Sequence, residues 1–587
     1  MNPVYENDSI AMTYPTIIRK SLLGALFFLV SACGSSGNDK ADLILTNGKI
    51  VTVDDEMPEV EALAVKADTI WALGSSAEID ALRGPDSEVI DLAGRLAIPG
   101  FIEGHGHYMG VGNAEMILGL SSTSSWQEIV DMVEAAVAEA EPGEWITGRG
   151  WHQEKWDAIP EGVVEGVPTH HALSAISPNN PVYLRHASGH AAFANTLALE
   201  LGRVSSETPD PAGGEIVHDM LGEPTGLLRE TAQRLVARAY QDYQNQRTPE
   251  QVDADNRKMA SLAAKASLEA GITSFQDAGS SFEEIDFLKQ LVDEGNLPVR
   301  LYVMVRGESF ESLQRLNEYY LPDYGDHRLN VRSIKLAIDG ALGPHGAWLL
   351  EPYADMPRTA GLNLAPIEDL VRTSEIAIKE GFQVNIHAIG DRANREVLDI
   401  YEDVFSANVD KEDLRWRIEH AQHLHPDDVT RMAGMGVIAS MQGVHATSDG
   451  PWVLKRLGEK RAEEGAYVWQ DLWNAGVVVT NGTDAPVEGI SALESYYATV
   501  SRRMNNGEVF FEDQKLSRLQ ALKSYTINSA YAAFEEDIKG TLEPGKLADI
   551  TILSKDIMTI PEEEILETEV HYTIVGGKVA YEATSGG

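Results

Sequence analysis

The sequence predicts an α/β fold. Its centre is a parallel barrel of eight strands and helices, with a small β-domain built from both ends of the chain and a large insertion after the first barrel strand. Three observations predict this. Eight short apolar runs alternate with amphipathic helical stretches through the middle of the chain. Both ends have the texture of short strands separated by turn signals. The first two central strands lie about 165 residues apart, far more than one helix needs.

At the start of the chain, Arg19-Lys20 precede an apolar run, Leu22–Val30, that ends in Ser31-Ala32-Cys33-Gly34. A basic start, an apolar stretch of about ten residues and small residues at its end make a secretory signal, too short to span a bilayer comfortably. Val30-Ser31-Ala32-Cys33 resembles a bacterial lipobox, in which the cysteine is lipidated and becomes the mature N-terminus. Residues 1–33 therefore read as a lipoprotein-type leader, with Met12 as an alternative start, and residues 34–41 as a polar tether. The expected location is the bacterial cell envelope, on the periplasmic side, with membrane contact only through a lipid on Cys33. Cys33 is the single cysteine, so no internal disulfide is available.

Residues 42–97 continue as short strands. Leu43–Val53 contains Asn47-Gly48, a hairpin signal. Ala62–Leu73 and Glu88–Asp91 follow in the same style. Residues 535–587 return to that texture, with Ala548–Leu553 and with Val570–Tyr581, which holds a Gly576-Gly577 turn. Residues 98–534 form the barrel. Its strands are expected at Ala97–Glu103, Ile272–Asp277, Val299–Val305, Val331–Ile338, Phe382–His387, Arg415–His420, Val437–Met441 and Val477–Thr483. Pro249–Ala270 and Ile367–Glu380 are two of the intervening helices. The excess between strands one and two, roughly 121–248, is read as an insertion over the barrel mouth.

The chain has 587 residues, 43% of them hydrophobic, which suits a folded protein of more than one domain. Its formal charge of −44 repels nucleic acid and anionic lipid. A small molecule is the expected partner, and a homodimer is left open.

Six residues carry the chemistry: His105, His107, Lys335, His387, His420 and Asp484. Each stands in, or just after, a predicted strand, and the later ones fall towards C-terminal ends, where barrel enzymes place their reactive groups. His105 and His107 are two apart on a strand and share one face, as a chelating pair would. They suit one divalent ion, with Zn²⁺ the default for imidazole and oxygen ligands. His387 and His420 suit a second. Asp484 can ligate and also hold the reacting water. An ammonium cannot bind a cation, so Lys335 fits only if CO₂ has made it an N6-carboxylated carbamate that bridges two ions. A divalent ion lowers the pKa of a bound water from about 15.7 to about 7. Asp484 is then the proton carrier from water to leaving group. Glu419, next to His420 on a strand, is expected to point away from the barrel interior.

These motifs together resemble the amidohydrolase superfamily, in its YtcJ-like or amidohydrolase-3 branch, which includes N-substituted formamide deformylases. The resemblance runs from Pro99–His107 through Trp145–Trp151, Ser188–Asn195, Gly222–Glu230 and Lys335–Gly343. It continues over the His387, His420 and Asp484 motifs to Gly540–Asp549. It implies a TIM (β/α)8 barrel with a β-sandwich, and a metal-dependent hydrolase. The sequence departs at Glu103-Gly104, where Asp and a small residue are commoner, and at Gly343-Pro344-His345, where Gly-Ser-Arg is usual.

Trp151, Arg185, His190 and Asn195 of the insertion, with Asp339 after strand four, are candidate substrate contacts. Trp156 is a further candidate, with core packing as its alternative. The expected reaction is hydrolysis of a C–N bond of amide type in a small molecule, a formamide or other N-acyl amine. Hydrolysis of an ester, lactone or carbamate at the same site is the first alternative. A catalytically silent binding or regulatory protein is the second, and an intact Asp484 weighs against it.

Overall fold

The computed structural model describes residues 40–584, apart from positions 152, 154, 155, 159, 161, 165, 166, 187–190, 212, 213 and 344. The leader, Cys33 and most of the tether lie outside the described residues. At the end of the expected tether, Ala41 is already buried, and its N–H donates to the Leu82 carbonyl.

Eight parallel strands form the centre: β1 (Phe101–Gly106), β2 (Ile272–Ser280), β3 (Arg300–Val305), β4 (Leu329–Ala337), β5 (Gln383–Ala388), β6 (Arg417–His420), β7 (Ile438–Gln442) and β8 (Val479–Gly482). Each pairs with the next in chain order. Every residue of β3 is buried, as expected of a parallel strand covered on both faces. The ring closes just past the strand ends. The Asp484 N–H donates to the His105 carbonyl at 2.8 Å, and the His107 N–H to the Ala485 carbonyl at 2.8 Å. Gly104 permits this approach, because a Cβ there would collide with the Asn481 carbonyl. The helix Pro249–Glu269 starts with a capping box between Thr248 and Gln251. Ile367–Glu380 stops at Gly381, whose φ of 80° suits glycine.

Strands from both ends of the chain meet in one six-stranded sheet. Its order is Lys578–Glu582, Val570–Val575, Ile550–Leu553, Leu96–Pro99, Lys49–Val51, Glu59–Val60. A four-stranded sheet lies with it, ordered Thr69–Gly74, Ala62–Lys66, Leu43–Thr46, Glu88–Asp91. Leu43, Leu63 and Ile90 of the one pack with Ile50, Ile550 and Ile574 of the other in a shared core. The Gly576-Gly577 turn makes a hairpin, with Val575 opposite Lys578. Asn47-Gly48 does not. Leu43–Thr46 and Lys49–Val51 belong to different sheets, so that turn hands the chain across the sandwich.

The insertion has its own six-stranded sheet, from Leu118–Gly119 to Pro224–Glu230, and its own core around Trp126, Trp151, Leu184 and Phe193.

Candidate metal centre and active-site cavity

The six expected residues converge. A cavity of about 540 Å³ is lined by His105, His107, Lys335, His387, His420 and Asp484. They come from β1 and the residue that follows it, from β4, β5 and β6, and from the turn after β8. One ligand atom each from His105, His420 and Asp484 lies within 4.8 Å of the other two. His107 Nε2 is 3.3 Å from Asp484 Oδ1, and His105 Nε2 is 3.7 Å from it. The His387 and His420 rings are 4.5 Å apart. Lys335 Nζ lies 3.2 Å from His105 Nε2. His420 and Asp484 both have positive φ, 76° and 57°. The backbone leaves its ladder at these two points, a conformation that concentrates at functional sites.

The arrangement fits a divalent cation. His387 Nε2 and Asp484 Oδ1 are buried without a well-formed hydrogen bond, and their neighbours, Asp339 Oδ1 at 3.6 Å and His107 Nε2 at 3.3 Å, are side chains of the same kind of site. The outer ring nitrogens of two ligands are engaged: His105 Nδ1 by Glu419 Oε2, and His420 Nδ1 by Gln442 Oε1 at 2.8 Å. Such contacts fix the tautomer and leave Nε2 for an ion. Glu419 thus points into the barrel, against expectation. It shares that side with Arg417, whose Nη1 donates to Gln276 Oε1 at 2.5 Å. Alternation holds from Arg417 to Glu419, and the chain then turns at His420.

Charge is distributed to match. Burial lowers His105 to about 4, with Lys335 adding to the effect. Burial lowers His387 to about 3 and carries His420 well below the usual imidazole range. These three histidines are therefore neutral, as ligands must be. Burial also lowers Lys335 to about 8. It pushes Glu419 and Asp484 upwards, but hydrogen bonds and neighbouring basic side chains outweigh it. Glu419 falls to about 2, chiefly through His105, and Asp484 falls well below the carboxylate range, chiefly through His107.

The described candidates for substrate contact do not line this cavity. None of the described insertion residues lines the cavity. Trp151 is core: its Nε1 donates to the Leu184 carbonyl at 2.9 Å, and Trp156 stacks near it. Asn195 caps the helix Thr196–Leu201 and ties down Ser177 and Asn180. Arg185 faces a separate cleft, beside Tyr183 and Arg234. Asp339 does not line the cavity; it binds the Trp348, Ile389 and Gly390 N–H groups at 2.8–3.0 Å and so clamps two loops, with its Oδ1 3.6 Å from His387 Nε2. His190 lies outside the described residues.

Sequence reasoning missed His445, Asp449 and Glu488, which line the same cavity with Arg306 and Trp452. His445 and Asp449 stand in the first turns of Gly443–Leu457, directly after β7. That position at a C-terminal strand end was the available signal.

An Arabidopsis thaliana protein, LONG AFTER FAR-RED 3, is 36% identical over 92% of each chain. An N-substituted formamide deformylase of Arthrobacter pascens is 29% identical over 92% of this chain and 99% of its own. The crystal structure of an uncharacterized metal-dependent hydrolase from Pyrococcus horikoshii superposes with a TM-score of 0.71 at 28% identity, covering 89% of this chain and 99% of that one. Residues 88–581 match the amidohydrolase family, and the chain, with its eight-stranded barrel and buried His-His-Asp cluster, belongs to that family of metal-dependent hydrolases.

Proposed function

We propose that the protein hydrolyses a C–N bond of amide type in a small molecule, an N-substituted formamide or a related N-acyl amine. The observation that carries this reading is the convergence of four histidines, Lys335 and Asp484 on one cavity, with ligand atoms of His105, His420 and Asp484 within 4.8 Å of one another. The deformylase among the relatives favours the substrate class.

His105, His107, His387, His420 and Asp484 would hold one or two divalent ions, Zn²⁺ being the best match to imidazole and carboxylate. Such ions supply an activated water and polarise a carbonyl. Lys335 joins the ligands once its neutral amine has added CO₂ and released a proton, which leaves a carbamate with two anionic oxygens. Asp484, kept ionised, accepts a proton from the attacking water and returns it to the leaving nitrogen. A plain alkyl amine leaves poorly, so this transfer is needed. Glu419 and Gln442 hold His105 and His420 in register.

The test is Asp484→Asn on metal-loaded protein with a panel of N-acyl amines, lactones and cyclic imides. Turnover of an N-acyl amine should fall by about 100-fold or more, the range of lost general acid–base catalysis, with fold and metal content kept. Equal turnover in variant and parent would remove Asp484 from the mechanism, and turnover of lactones alone would remove the amide.

We further propose that the protein is exported and anchored through lipid on Cys33, on the strength of the basic, apolar and small-residue order of Arg19–Gly34.

A further inference from the structure

The cavity has two unlike walls. Arg306 and Lys335 lie on one side, after β3 and on β4. Asp449 and Glu488 lie on the other, after β7 and β8, diametrically across an eight-stranded ring. Neither of these carboxylates joins an ion pair among the described residues. Each has one neutral partner. Tyr467 Oη donates to Asp449 Oδ2 at 2.6 Å, and Ser448 Oγ donates to Glu488 Oε1 at 2.7 Å. The two acids are close enough to act on each other: burial raises Asp449 to about 6, with Glu488 adding to it and with His445 and the Tyr467 hydrogen bond opposing it.

Acidic side chains are abundant in this chain, so two of them would mean little alone. His445 supplies a second observation. It is 7% exposed, lines the same wall, and its Nε2 is buried without a partner. Gln422 Nε2 lies 3.1 Å from His445 Nδ1. With that amide donating, the ring proton sits on Nε2, a donor that lacks an acceptor. A wall that offers a free N–H beside two carboxylates without a cation asks for a ligand with a carbonyl oxygen and, further out, a positive charge.

We infer that Asp449 and Glu488 receive an ammonium-type group on the substrate, while His445 Nε2 binds its acyl oxygen, so the substrate class is an N-acyl amine with a cationic tail. This rests on the amide reading above and narrows it.

The test compares monoformylated butanediamine with its neutral isostere, N-pentylformamide, on the metal-loaded full chain. Calorimetric binding and kcat/KM are both measured, for the parent, Asp449→Asn and Glu488→Gln. The parent should favour the cationic compound by about 10- to 100-fold, the worth of a hydrogen-bonded charge, and the ratio should fall towards one in both variants. Glu488→Gln keeps the test decisive if losing the Tyr467 contact unfolds the other variant. Equal or better binding of the neutral compound by the parent overturns the inference, as does a ratio that neither variant changes. Binding of the cationic compound without hydrolysis would sink the amide reading and leave this wall's role standing. Hydrolysis of the neutral compound at equal efficiency would do the reverse.

Discussion

Glu419 has one close partner in the barrel interior, the Nδ1 of His105. It acts on an ion only through that ring, as a positioning residue. Glu419→Gln should weaken metal binding by about 10- to 100-fold while the fold persists, the usual cost of losing an outer-shell partner. Competition with a chelator, read beside circular dichroism, checks this, and parental affinity would show that His105 needs no such support. Lys335→Ala should lose metal outright, with partial recovery in bicarbonate plus a short-chain acid; a variant that binds two ions at parental affinity contradicts the bridge. The ligands themselves are legible in the sequence because each ends an apolar run. Glu419 is not, because alternation along Arg417–His420 opposes it to His420, and that rule lapses where φ reaches 76°. His445 is hidden for another reason: it stands beyond β7, where no strand period applies. Trp151 and Asn195 belong to motifs that resemblance marks out, yet their partners show packing and capping, a distinction no linear pattern carries.

Arg300 opens β3, and Asp549 directly precedes the strand Ile550–Leu553. Asp549 takes Arg300 Nε at 2.7 Å and Nη2 at 3.1 Å, and also accepts the Gly576 N–H at 2.8 Å. This fork fastens the terminal sheet to the barrel. Asp549→Asn would leave Arg300 buried without a counter-charge, at a cost of about 3–5 kcal/mol in unfolding free energy, measured by urea titration. Burial raises the Asp549 carboxyl, and Arg300 and Gly576 more than reverse this, so its folded pKa lies below the ordinary one. The stability it contributes is therefore complete above the ordinary carboxylate pKa of about 4 and is lost as pH falls through the folded value. The gap between parent and variant should narrow only in acid; a gap independent of pH would put the effect elsewhere. At this scale the barrel strands are readable because they are apolar on both faces. The Asn47-Gly48 turn is misleading because the same dipeptide serves a hairpin or a crossing between sheets, and only the packing of Leu43 and Ile50 decides which.

For the molecule as a whole, the leader reading predicts that Cys33→Ser moves the protein from the membrane fraction to the soluble one and abolishes labelling by radioactive palmitate. An equal membrane share for both forms counts against the anchor. Among the described residues no helix is long and apolar enough to cross a membrane. The ring, finally, is joined at its chemistry: Asp484 bonds the backbone of His105, and Ala485 that of His107. Fastening the circle and assembling the cation grip are thus a single event, which awaits the eighth strand during synthesis. A chain cut short anywhere upstream would lack both the closure of the circle and the carboxylate of the His105, His420 and Asp484 cluster.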